Sequence, residues 1–175
     1  MRPELDSAPN PGSFDPLTSA VPAADLVAAL TAARLTVATA ESLTAGLLAA
    51  AIAGIPGASA VLRGGLIVYA TDLKHDLAGV STDTLTSDGP VAASTAEQLA
   101  VGARLRCGAD WGVGLTGVAG PDPQDGREVG TVFLGLAGPD GTAVIRLKLS
   151  GDRWTIRVGA VRAAITELVR SIRGG

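Results

Sequence analysis

The stretch "TVATAESLTAGLLAAAIAGIPG", residues 36–57, decides the fold. "TVATA" reads as a short strand, and the run of small apolar residues after Gly46 reads as a buried helix that stops at the Gly and Pro of "GIPG". A polar cluster, Thr39, Glu41, Ser42 and Thr44, sits between them. A strand end that feeds a helix start is where free N–H groups can hold an anion or an oxyanion. On this segment alone, capping the helix is the simpler role for Ser42 and Thr44.

Outward from that unit the pattern continues. "AADLVAALTAARL", residues 23–35, precedes it with helical spacing. "GGLIVYA" follows as a buried strand, then a short helix in "TDLKHDLAGV", a capped helix start at "TSDGPVAAS" and a long helix in "VAASTAEQLAVGARLRC". "ADWGVGLTG" is a further buried strand ending in the loop "TGVAGPDPQDGREVG". "TVFLGLAGPDGTAVIRLKLSG" reads as a β-hairpin turning at Pro139, Asp140 and Gly141, and an amphipathic helix from Asp152 to Ile172 closes the chain. The element order predicts a three-layer α/β/α sandwich with a mixed sheet, the hairpin supplying the antiparallel part. Residues 1–22 carry five prolines among Ser, Asn, Gly and Asp, and read as a flexible tail before a single domain over residues 23–175.

Composition narrows the function. The formal charge of −3, the pI near 5.1 and only 3% aromatic residues argue against a nucleic-acid binder, which would show a basic face and stacking rings. Cys107 and His75 are the only residues of their kinds, so one chain can form no internal disulfide and no His/Cys zinc site. No apolar run is long enough for a membrane span, and the N-terminus lacks the apolar core of a signal peptide. A soluble, cytoplasmic protein is the expectation. The many Ala and Gly residues suggest a homo-oligomer, a dimer or trimer.

Three polar segments fall at strand ends, where open α/β sheets bind ligands: "AESLTAG", "YATDLK" with Tyr69, Thr71, Asp72 and Lys74, and "TGVAGPDP". Together they supply a serine, a potential base and backbone donors, the components of amide or ester hydrolysis. With one histidine, poorly placed, help for a serine would come from a lysine of lowered pKa or a tyrosine.

"AESLTAG", "GGLIVYATDLKHDLAGV", "TGVAGPDP", "VGTVFLGLA" and "SGDRWTIR" occur in the order and spacing of the CinA C-terminal domain family, and over residues 23–173 the chain resembles its nicotinamide-nucleotide amidohydrolases. The resemblance implies hydrolysis of the carboxamide of nicotinamide mononucleotide (NMN) to nicotinate mononucleotide and ammonia in pyridine-nucleotide salvage, with no metal and no cofactor. It makes Ser42 the nucleophile and Lys74 the general base, with Tyr69 sharing or orienting that role. Backbone donors around Thr44, Ala45 and Gly46 are implied for the oxyanion; Thr116, Gly117, Gly120 and the loop that follows for the ribose and phosphate pocket; Arg153 and Arg157 for the 5′-phosphate. For these two arginines a helix-start ion pair with Asp152 is the competing role. The family pattern has Gly where this chain has Ala45, which motivates an alternative: a nucleotide-binding or regulatory module of weak or no turnover. The short segment before the domain fits the standalone form, without the N-terminal domain many members carry.

Overall fold

The computed structural model describes residues 16–174. Helices α1 (Pro16–Ala20) and α2 (Ala23–Ala33) lead into strand β1 (Val37–Glu41) and helix α3 (Leu47–Ala53). A 3₁₀ turn, Ala58–Ala60, precedes strand β2 (Leu62–Ile67) and helices α4 (Thr71–Asp76), α5 (Thr82–Ser87) and α6 (Ala93–Cys107). Strands β3 (Trp111–Gly117), β4 (Thr131–Gly138) and β5 (Gly141–Lys148) and helix α7 (Arg153–Gly174) complete the chain.

The five strands form one sheet in the order β2-β1-β3-β4-β5. β1 pairs in parallel with β2 and β3, whereas β3–β4 and β4–β5 are antiparallel, so the sheet is mixed as expected and the hairpin supplies the antiparallel part. Helices α2, α3 and α7 cover one face around Leu26, Leu30, Ile52, Val113, Leu134 and Ile165. Helix α6 covers the other, with Leu99 and Ala103 against Ala38 and Ala40.

Glycine decides how close α6 can come. A methyl on Gly114 or Gly135 would collide with the Ala96 carbonyl oxygen, so these bare positions let the helix backbone lie directly on the sheet. The Ala-rich, Gly-rich composition is therefore a packing device, filling with backbone the volume that larger side chains fill elsewhere.

Three local expectations are corrected. β2 is an edge strand with alternating exposure, not a buried one, because β1 pairs with it on one side only. An additional helix, α5, leads into the segment read as a capped helix start: its Ser81 accepts the Thr84 N–H, whereas α6 begins after Ala92 with no side-chain cap. The expected tail is ordered from Pro16: α1 packs against α3, Val21 is buried in the core, and Arg162 donates to the Ala20 carbonyl. The rest of that expectation, residues 1–15, lies outside the described residues. No helix among the described residues is long and apolar enough to cross a membrane.

Candidate functional site

The carboxyl ends of the three parallel strands, β2, β1 and β3, lie side by side, and a cleft opens above them. This is the position that open α/β sheets reserve for ligands, since each strand end there delivers a loop to a common space. Ser42 arrives from β1, Tyr69 and Lys74 from the segment after β2, and residues 116–120 from the end of β3. The cleft encloses about 530 Å³, counting its open mouth.

At its base lies a lysine that almost no water reaches. Lys74, on the first turns of α4, is 2% exposed. Its Nζ donates to Ser42 Oγ at 3.1 Å, to the Val68 carbonyl at 2.9 Å and to the Tyr69 carbonyl at 3.3 Å. Burial disfavours the ammonium and pushes its pKa from 10.5 down to about 8, against the opposing pull of Asp125 and Asp72. A lysine so placed is neutral in an appreciable fraction of molecules near neutral pH and can accept a proton from the serine it touches.

The loop that carries Ser42 is fixed from several directions. Ser42 N–H donates to the Leu115 carbonyl, and Ala45 N–H donates back to the Ser42 carbonyl. Ala45 and Gly46 take φ of 49° and 92°, two consecutive left-handed residues that reverse the chain into α3. Glu41, 1% exposed, turns its carboxylate into that reversal and accepts from the N–H groups of Gly46, Leu48 and Ala49 and from the Thr39 hydroxyl, at 2.9–3.0 Å.

The expected cap is corrected accordingly. Neither Ser42 nor Thr44 caps α3: Gly46 holds the N-cap position without a side-chain bond, and the buried Glu41 carboxylate satisfies the helix start instead. Sequence reasoning grouped Glu41 with the polar cluster but gave it no role. The signal was there in a lone carboxylate at the end of an otherwise small and apolar strand.

Of the expected site residues, Ser42, Tyr69, Lys74, Thr116, Gly117, Gly120 and Arg153 line the cleft together. Thr44, Ala45, Gly46 and Arg157 do not. The N–H groups of Ala45 and Gly46 are spent on Ser42 and Glu41, and Thr44 is wholly buried. Thr116 uses its hydroxyl to hold the Pro90 carbonyl. Arg157 spends its guanidinium on backbone, Nε on the Leu43 carbonyl and an Nη on the Thr44 carbonyl, both at 2.9 Å. Arg153 bridges the cleft mouth, donating to the Gly120 carbonyl and to the Tyr69 hydroxyl, each at 2.7 Å. Asp152 is not its partner. That carboxylate accepts from the Thr155 N–H at the start of α7, and the bonds at Thr155 hold it below the usual carboxylate range. The loop expected after Gly120 contributes Asp122 and Gln124 to the cleft wall; sequence reasoning missed Leu43 and Val91, since nothing in their spacing separates them from ordinary loop residues.

His75 hydrogen-bonds through Nδ1 to the Val80 carbonyl, and Cys107 is a free thiol packed at the edge of the α6 cluster. Among the described residues no group of His, Cys, Asp and Glu is arranged to hold a metal ion.

Fold and cleft together define a mixed-sheet α/β domain with a buried serine–lysine pair at the ends of its parallel strands. The chain belongs to the CinA family: the model of the CinA C-terminal domain matches residues 20–172. A CinA-like protein of Frankia casuarinae is 49% identical over 140 residues, 80% of this chain and 32% of the relative; one of Mycolicibacterium gilvum is 44% identical over 153 residues, 86% of this chain and 36% of the relative. The chain thus spans about a third of the length of the curated relatives it matches. Among solved structures, the competence/damage-inducible protein of Agrobacterium tumefaciens superposes with a TM-score of 0.84 at 36% identity, covering 92% of this chain and 99% of that one. A CinA superfamily protein of Klebsiella pneumoniae superposes at 0.86 and 25% identity, covering 92% and 100%.

Proposed function

We propose that the domain hydrolyses the carboxamide of NMN to nicotinate mononucleotide and ammonia, with Ser42 as nucleophile and Lys74 as base. The observation that carries this reading is the 3.1 Å contact between Lys74 Nζ and Ser42 Oγ in a site where burial lowers the lysine pKa to about 8. Neutral Lys74 takes the hydroxyl proton as Ser42 Oγ bonds to the carboxamide carbon. The tetrahedral intermediate collapses and its C–N bond breaks, with the Lys74 ammonium returning the proton to the departing nitrogen as ammonia. Water then attacks the Ser42 ester, giving its proton to Lys74, and in the second collapse the ester C–O bond breaks as Lys74 returns that proton to Ser42 Oγ and the freed acid ionises to solvent.

The amides of Leu43, Ala119 and Gly120 belong to cleft-lining residues and donate to no acceptor among the described residues, which makes them the donors available to the oxyanion. Arg153 offers a cation at the mouth for the 5′-phosphate, and Asp122 a negative charge for the pyridinium ring. The binding-only alternative rested on Ala45, whose methyl lies outside the cleft, so it gains no support from the site. The test is ammonia release from NMN by chelator-treated protein, with Ser42→Ala as the paired control. Release that disappears in the variant supports the reading; saturable NMN binding with no release overturns it in favour of a binding module.

A further inference from the structure

Arg157 reaches the nucleophile loop from α7, 114 positions away in sequence, and grips two successive carbonyls there without entering the cleft. Its neighbour Arg153, one helical turn earlier, does line the cleft. The two arginines of "SGDRWTIR" therefore do different work. A planar guanidinium can bond two carbonyl oxygens at once, which a lysine ammonium at the end of a flexible stem does poorly.

The bonds around Ser42 leave that grip a specific consequence. The Ser42 carbonyl is held by the Ala45 N–H, and the Gly46 N–H is held by Glu41. Among the described residues the peptide between Leu43 and Thr44 has no other holder, so Arg157 alone holds Leu43 O, and at Thr44 O it adds a second bond to that from the Leu47 N–H. A trans peptide sets its C=O and N–H on opposite sides, so drawing these oxygens toward α7 keeps their lone pairs away from Ser42 Oγ. A carbonyl swung the other way would set a partial negative charge beside the alkoxide and the oxyanion that form there.

We infer that Arg157 is a positioning residue for Ser42: by pinning the Leu43 and Thr44 carbonyls to α7 it fixes the nucleophile loop in the conformation that attacks. The inference rests on the reading of Ser42 as nucleophile. It replaces a phosphate contact by a second-layer clamp, and it places the substrate-binding and loop-holding functions on successive turns of one helix.

The test uses the full chain with Arg157→Lys and Arg157→Ala, and Ser42→Ala as the blank. Two rates are read: covalent labelling of Ser42 by a fluorophosphonate, followed by intact mass, and ammonia release from NMN. Loss of the clamp is expected to slow labelling and kcat by about 100-fold, the scale of an ångström-sized misplacement, with KM for NMN unchanged. Methylguanidinium should restore Arg157→Ala, and ammonium should not. Labelling of Arg157→Lys at the wild-type rate overturns the inference, as does a raised KM with kcat intact, which would make Arg157 a substrate contact. If Arg157→Ala fails to fold, the Lys variant decides. A wild type that takes label at Ser42 but releases no ammonia from NMN sinks the substrate reading, while the labelling comparison still decides Arg157; a wild type that takes no label overturns the inference together with the nucleophile.

Discussion

Lys74 and Ser42 stand 32 positions apart in sequence and 3.1 Å apart in space, on the segments that leave two neighbouring parallel strands. The lysine is anchored by the Val68 and Tyr69 carbonyls, so its amine is aimed at the serine rather than free to swing toward solvent. Tyr69 enters this arrangement through its backbone; its ring is half exposed and its hydroxyl accepts from Arg153. For the proposed hydrolysis, that arrangement favours Lys74 over Tyr69 as the base.

The rate of amide hydrolysis is expected to rise with pH and level off above about 8, because only the neutral amine accepts the Ser42 proton and burial sets its pKa there. Lys74→Met should lower kcat roughly a thousandfold while leaving NMN binding largely intact. Tyr69→Phe should keep most of kcat and raise KM. Steady-state kinetics across pH 6 to 10 reads all three, and a rate independent of pH through that range would remove Lys74 from the role.

The same group links pH to stability. The folded pKa of Lys74 is about 8 against an ordinary 10.5, so between these values the unfolded chain carries a proton that the folded chain does not. Its contribution is full above the unfolded value and is lost as pH falls through the folded one. The melting temperature of the wild type relative to Lys74→Met should therefore climb between about pH 8 and 10.5 and stay level below 8. A difference that is flat throughout would show that the lysine keeps its ordinary pKa.

Glu41→Gln should destabilise the domain by about 3 kcal/mol, the scale expected when a buried charged acceptor with several N–H donors loses half its acceptor capacity. Four donors converge on this carboxylate, two on each oxygen, so an amide NH₂ would be turned against two of them. Urea unfolding measures it. A loss below 1 kcal/mol would mean that α3 starts without Glu41.

Ala45→Gly should stabilise the protein by about 0.5 kcal/mol. A left-handed alanine costs roughly 1–2 kcal/mol, partly offset by the greater freedom of glycine in the unfolded chain. Because the methyl lies outside the cleft, kcat should not change. A large rise in kcat would instead place Ala45 in the oxyanion site.

The stretch at residues 36–57 was enough to determine a strand, a polar turn and a buried helix, because spacing of apolar residues and the Gly and Pro stops are local signals. The mixed sheet followed from the order of such units, and the motif residues of "AESLTAG" and "YATDLK" marked the strand ends where Ser42 and Lys74 meet. What the sequence did not determine is which polar group faces which. Glu41 and Ser42 are adjacent in the chain, yet one side chain is buried beneath the turn as a helix cap and the other opens to the cleft. Arg153 and Arg157 share a motif, yet one lines the cleft and the other holds the loop from behind. Successive residues leave the backbone in different directions, and where each side chain ends is set by the neighbour that tertiary packing brings to it. The lowered pKa of Lys74 is likewise a property of burial between distant segments, and no local pattern records it.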